Sequence, residues 1–112
     1  MQEKLYAALC VEFPGANIKR EQNFIDLSVE TANELLLFEI KSDLDPRVVI
    51  RHALGQLLQY AFYTTPRLAL PVRLVIVGRR PLTPADTRYF QHLREAFSLL
   101  LEYRAVPLPT LL

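Results

Sequence analysis

Cysteine is almost missing from this chain: among 112 residues there is one, Cys10. A single thiol closes no internal disulfide and has no Cys partner with which to hold zinc, so the fold depends on its core alone. Set in an apolar helical stretch, Cys10 reads as a small buried hydrophobe. Glycine is scarce too, at three residues, and the apolar share is 51%. Those two values exclude collagen-like, low-complexity and disordered chains. No apolar run reaches the roughly 18 residues of a membrane span, and Glu3 and Lys4 stand where a secretory signal would begin its apolar stretch. A soluble, cytoplasmic protein with no membrane partner is the expectation. The length suits one hydrophobic core, so residues 1–112 are read as a single domain.

The net charge of +1 conceals a division. Residues 1–46 carry nine acids against four bases, and residues 47–112 carry nine Arg against three acids. Salt bridges between the halves account for such a split, and it equally suits a protein that gathers carboxylates around a cation and offers Arg to a polyanion.

Hydrophobic spacing lays out the elements. Leu5, Leu9 and Phe13, with Ala8 between them, fit one face of an N-terminal helix stopped by Pro14-Gly15. An extended piece over 17–21 precedes a strand over 24–29, in which Ile25, Leu27 and Val29 alternate with Phe24, Asp26 and Ser28. The segment 35–41 is apolar until Glu39 and Lys41 and reads as a buried central strand. Asp45-Pro46 is an N-cap with a first-turn proline, opening a helix to about Tyr63 with Ile50, Leu54, Leu57, Leu58 and Ala61 on its core side. Gly55 in that helix is expected to let the backbone pack closely on a sheet. A β-branched strand over 72–77 ends at Gly78, and Thr83-Pro84 with Asp86 begins a second long helix lined by Tyr89, Leu93, Ala96, Phe97 and Leu100. An edge strand over 102–106 closes the order α-β-β-β-α-β-α-β. The strand-helix-strand order implies a parallel crossover, and the whole a three-layer α/β fold with a mixed sheet.

Five residues, 30–34, join the strands 24–29 and 35–41, a hairpin-sized connection. A hairpin centred between Ala32 and Asn33 places Asp26 opposite Glu39, with Cα atoms about 4.5 to 5.5 Å apart. Glu39 and Lys41, two apart on one strand, share a face with that pair. Two bare carboxylates at about 5 Å repel by about 3 kcal/mol at an effective dielectric of 20, so a positive group must compensate. Lys41 supplies part of that charge, and a hard divalent cation with oxygen ligands, Mg²⁺ or Mn²⁺, fits beside a substrate phosphate.

Asp26 followed by Glu39-Ile40-Lys41 resembles the metal-binding signature of the PD-(D/E)XK, restriction-endonuclease-like nucleases, with Ile25 where the family often has Pro. Gln56-Leu57-Leu58-Gln59-Tyr60 resembles the QxxxY motif on the following helix of RecB-like members. The resemblance spans about residues 3–106 and implies the family's αβββαβ core, a central mixed sheet flanked by helices. It implies a nuclease acting on nucleic acid, with DNA as the expected partner. Asp26 and Glu39 would be metal ligands together with the Ile40 carbonyl, and Glu3 would be a further acidic ligand on the first helix. Lys41 would be the catalytic lysine, with Gln56 and Tyr60 positioning it, the water or DNA. The ammonium would stabilise the phosphorane-like transition state, and the metal would lower the pKa of the attacking water.

The remaining candidates are cations. His52 shares the polar face of Gln56 and Tyr60 and has no second His at ligand spacing, so phosphate contact is its expected role. Arg47, Arg51, Arg79 and Arg80 are candidate phosphate contacts. No segment reads as a base-reading helix, so specificity would come from loops, a homodimer or a larger host protein. A catalytically silent module on the same fold, docking DNA or a protein, is the alternative reading.

Overall fold

A computed structural model describes residues 2–22, 25–64 and 70–106. The elements follow the expected order: α1 (Gln2–Glu12), β1 (Asn17–Gln22), β2 (Ile25–Glu30), β3 (Leu35–Ile40), α2 (Pro46–Gln59), β4 (Val72–Gly78), α3 (Pro84–Ala96) and β5 (Leu101–Ala105). The strands form one sheet in sequential order β1-β2-β3-β4-β5. The first three pair antiparallel, and β3, β4 and β5 run parallel. Both parallel connections contain a helix, because a parallel return needs a crossover long enough to regain the sheet's starting end.

Strand alternation divides the core into two layers. Leu36, Phe38, Val75 and Val77 face α1 and bury Leu5 and Leu9. Leu37, Leu74 and Ile76 face the other way, against Val49, Ile50, Ala53 and Leu57 of α2 and Phe90 and Leu93 of α3. The result is three layers, with α1 on one side and α2 and α3 on the other. β3 is buried on both faces, which explains its nearly unbroken apolar run.

The helix starts follow the capping chemistry of the sequence. Asp45 Oδ1 accepts from the Arg47 N–H at 3.0 Å, with Pro46 at a position that needs no donor. Thr83 and Asp86 form a reciprocal capping box, each side chain accepting from the other's backbone N–H at 3.1 Å.

Three expectations are corrected, and one helix changes form in its last turn. Cys10 is exposed, as are Ala8 and Val11, because α1 packs on the sheet through Leu5 and Leu9, with Tyr6 at their side. Gly55 is exposed and a Cβ built on it meets nothing within 4 Å, so it does not serve contact with the sheet. The helical run of α2 reaches Thr64, in keeping with the expected end near Tyr63, but its last turn, Tyr60–Thr64, is π-helical; it keeps Ala61 in the core and leaves Phe62 and Tyr63 in solvent. The buried stripe of α3 is Asp86, Phe90 and Leu93, while Tyr89, Ala96 and Phe97 are exposed and Leu100 lies beyond the helix end. Phe90 wins because Tyr103 of β5 meets it edge-on, ring centroids 6.1 Å apart.

Candidate active site

The hairpin register sets the geometry. Leu27 lies opposite Phe38 and Ser28 opposite Leu37, so one further step places Asp26 opposite Glu39. The Asp26 carboxylate fastens this end of the hairpin, Oδ2 accepting from the Ile40 N–H at 2.8 Å. A carboxylate held by a backbone N–H has a fixed position at little entropic cost. The start of α1 adds a contact that no sequence pattern announces: the Gln2 side-chain amide donates to the Asp26 carbonyl at 2.9 Å.

Glu39 sits two residues after buried Leu37 and therefore points to the α2 side of the sheet. It is 3% exposed. Burial first, then the neighbouring Asp26 charge, raises its pKa, and the Lys41 ammonium, with a smaller contribution from the Asp26 backbone N–H, opposes them. Lys41 is fixed through its backbone, whose N–H donates to the Val77 carbonyl at 2.9 Å and extends the β3/β4 ladder by a step. Its ammonium lies 3.2 Å from Glu39 Oε2 and donates to Gln56 Oε1 on α2. Carboxylate, ammonium and amide thus form a row across two elements.

The second oxygen of Glu39, Oε1, is buried without a hydrogen-bond partner. Leaving such an acceptor unmet costs about 1–3 kcal/mol, more when it is charged. An unmet carboxylate oxygen beside a second carboxylate is a donor set for a hard cation such as Mg²⁺ or Mn²⁺, and the residues present fit one. Among the described residues, no three or more His, Cys, Asp or Glu side chains gather at metal-binding spacing. Asp26 and Glu39 are therefore not joined there by Glu3, which is exposed in the first turn of α1.

The other candidates are placed as follows. Tyr60 packs at the margin of the α2-side core and His52 is exposed. Arg79 and Arg80 follow the end of β4, the strand that receives the Lys41 N–H. Arg79 is half-buried with Nε unpartnered, and Arg80 is exposed with its carbonyl accepting from the Tyr103 hydroxyl at 2.6 Å. Arg47 and Arg51 stand apart from the acidic pair, lining a groove between α2 and α3, where Arg47 is paired with Asp45 at 3.1 Å. Sequence reasoning missed Tyr103; its signal was Gly78, where a Cβ would collide with the Tyr103 hydroxyl.

No family model matches this chain, and no curated protein matches it. A solved structure does: the crystal structure of a repair endonuclease from Pyrococcus abyssi is similar over 96% of this chain, with a TM-score of 0.55 and 23% sequence identity. The match takes in 47% of that protein, so the chain spans about half the length of its solved relative. Identity this low carries the fold. The five-stranded mixed sheet with its three helices is the α/β core that this chain shares with that endonuclease. No helix among the described residues is long and apolar enough to cross a membrane.

Proposed function

We propose that this chain is a metal-dependent nuclease that hydrolyses phosphodiester bonds in DNA, acting as a soluble cytoplasmic protein. One observation carries the reading: a buried glutamate with an unpartnered oxygen faces a second carboxylate and holds a lysine on its other oxygen. A structural ion pair gains nothing from burying an extra negative charge next to itself, whereas a cation site needs it. That a repair endonuclease shares the fold supports the reading.

Asp26, Glu39 and the Ile40 carbonyl would hold Mg²⁺ or Mn²⁺, which when bound supplies an acidified water and charge neutralisation. Lys41 presents its ammonium to the scissile phosphate, where a fixed positive charge in a partly desolvated site is worth more than in water. Gln56 accepts from Lys41 and holds that ammonium in line, and Tyr60, one turn on, walls the α2 side. Arg79, Arg80 and His52 take flanking phosphates as point charges without reading sequence. Glu3 keeps the role of an acid at a helix N-terminus.

The test is cleavage of plasmid, linear duplex, single-stranded and branched DNA with Mn²⁺ or Mg²⁺, comparing the native chain with Lys41→Ala and Glu39→Ala. Cutting that needs the metal and is lost in both variants, with the fold retained, is the expected result. DNA binding without cutting in any of the three refutes a nuclease and leaves a docking module.

A further inference from the structure

α1 lies across one face of the sheet and is fastened to it along its length. Gln2, Leu5, Tyr6 and Leu9 fall at i, i+3, i+4 and i+7, which is one helical face. Leu5 and Leu9 are buried in the core on that side, and Tyr6 carries the Arg20 guanidinium of β1 over its ring, 3.7 Å from the centroid. At the other end of the helix, Glu12 accepts two bonds of 2.7 Å from Arg104 of β5. Gln2 heads the sheet-facing stripe and is half-buried, and its amide donates to the Asp26 carbonyl on β2 at 2.9 Å. Glu3, about 100° further round the helix, is exposed. α1 therefore reaches the acidic pair through a neutral amide and not through its acid.

We infer that Gln2 is a positioning residue: it pins the main chain of Asp26 and so sets the affinity of the Asp26/Glu39 pair for a divalent cation. The inference rests on the metal-site reading above. Asp26 is held at two points, its Oδ2 by the Ile40 N–H at 2.8 Å and its carbonyl by Gln2. A carboxylate bonded through one oxygen still shifts whenever its own backbone shifts, and the facing Glu39 carboxylate pushes it outward. That push is real, because the same two charges acting on each other raise the Glu39 pKa. The bond from α1 opposes the drift at its origin, the β2 main chain. A small divalent cation such as Mg²⁺ tolerates little departure from ideal ligand positions, so the placement of Asp26 relative to Glu39 translates into affinity. A neutral donor suits this place. Lys or Arg would neutralise the acids and compete with the cation, whereas an amide fixes the backbone and leaves both negative charges to the metal. Gln2 acts through Asp26 alone.

The test is Mn²⁺ binding by the full chain, measured by calorimetric titration without DNA at a temperature where circular dichroism shows every variant folded. Gln2→Met keeps the length of the side chain and removes the donor, and Gln2→Asn keeps the amide but is one methylene too short to reach. Each is expected to raise the Mn²⁺ Kd about tenfold, the lower end of what losing a hydrogen-bond partner behind a metal ligand costs. Arg104→Met releases α1 at its other end and is expected to leave the Kd at the native value. A native chain that binds Mn²⁺, with both Gln2 variants binding it equally well, overturns this inference and leaves the metal site standing. Equal weakening in Gln2→Met and Arg104→Met overturns it too, because Gln2 then serves only to hold the helix down. A native chain that binds no Mn²⁺ removes the metal site itself and this inference with it, so the two failures are told apart by the native titration.

Discussion

Lys41 on the end of β3 and Gln56 on α2 are fifteen residues apart in the chain, and their side chains are hydrogen-bonded, ammonium to amide oxygen. Lys41 is thus held from two sides, by Glu39 within its own strand and by a helix that returns over the sheet. Removing one support leaves the ammonium in place on average but free to swing. Gln56→Leu is expected to lower kcat for DNA cleavage by about 10²-fold with little change in KM, the cost of misplacing a group by about 1 Å. Lys41→Ala is expected to remove cleavage altogether. A raised KM with kcat unchanged for Gln56→Leu, measured in steady-state cleavage, would make Gln56 a DNA contact instead.

The unmet Glu39 oxygen makes a stability prediction of its own. Without divalent ions, Glu39→Gln is expected to melt at the native temperature or above it, because the neutral amide sheds the cost of a charge buried beside Asp26. With Mg²⁺ or Mn²⁺ at about ten times its Kd, the native chain gains about 1.4 kcal/mol by mass action, or about 5 °C for a domain of this size. Asp26→Asn and Glu39→Gln are each expected to lose that gain. Thermal melts with and without the ion decide it, and an equal rise in all three chains would remove the metal site.

A second ion pair fastens α1 to the far edge of the sheet. Arg104 on β5 donates two bonds of 2.7 Å to the Glu12 carboxylate, which pulls the Glu12 pKa below its ordinary 4.5. The unfolded chain therefore takes up this proton first as pH falls, so the pair's stabilisation is present above pH 4.5 and disappears as pH drops through the lower folded value. Glu12 is partly solvated, which limits the effect to less than about 1 kcal/mol. Melting temperature against pH is expected to fall more steeply below 4.5 for the native chain than for Arg104→Met.

The order of elements and the hairpin register were legible because local chemistry sets both. Strand alternation, the short 30–34 connection and the caps at Asp45 and Thr83 each act over a few residues, and together they place Asp26 opposite Glu39. What was not legible depends on partners distant in sequence. The α3 stripe shifts to Phe90 because Tyr103 waits on β5, and Cys10 is exposed because one narrow stripe of α1 satisfies the sheet. Gln2 carries no motif, yet only the packing of α1 brings it to the Asp26 carbonyl. Lys41 was readable as a member of the acidic patch, and its bond to Gln56 completes a row that no spacing alone specifies.

Gly78 ends β4 at the point where the strand must yield to a side chain from its neighbour. A Cβ there would collide with the Tyr103 hydroxyl and stand 3.1 Å from its ring carbon and 3.4 Å from Val49 Cγ1. The hydroxyl crosses this glycine to donate to the Arg80 carbonyl at 2.6 Å, which fixes the turn that carries Arg79 and Arg80. Gly78→Ala forces Tyr103 away, breaks that bond and overpacks a buried position, a combined cost of about 1–3 kcal/mol. Tyr103→Phe keeps the ring against Phe90 and removes only the hydroxyl, so it is expected to cost about 1 kcal/mol. Adding Tyr103→Phe to Gly78→Ala is expected to cost less than the two single changes taken together, since both break the same contact. Urea denaturation of the four chains measures this coupling, and strictly additive losses would show that Gly78 and Tyr103 act independently.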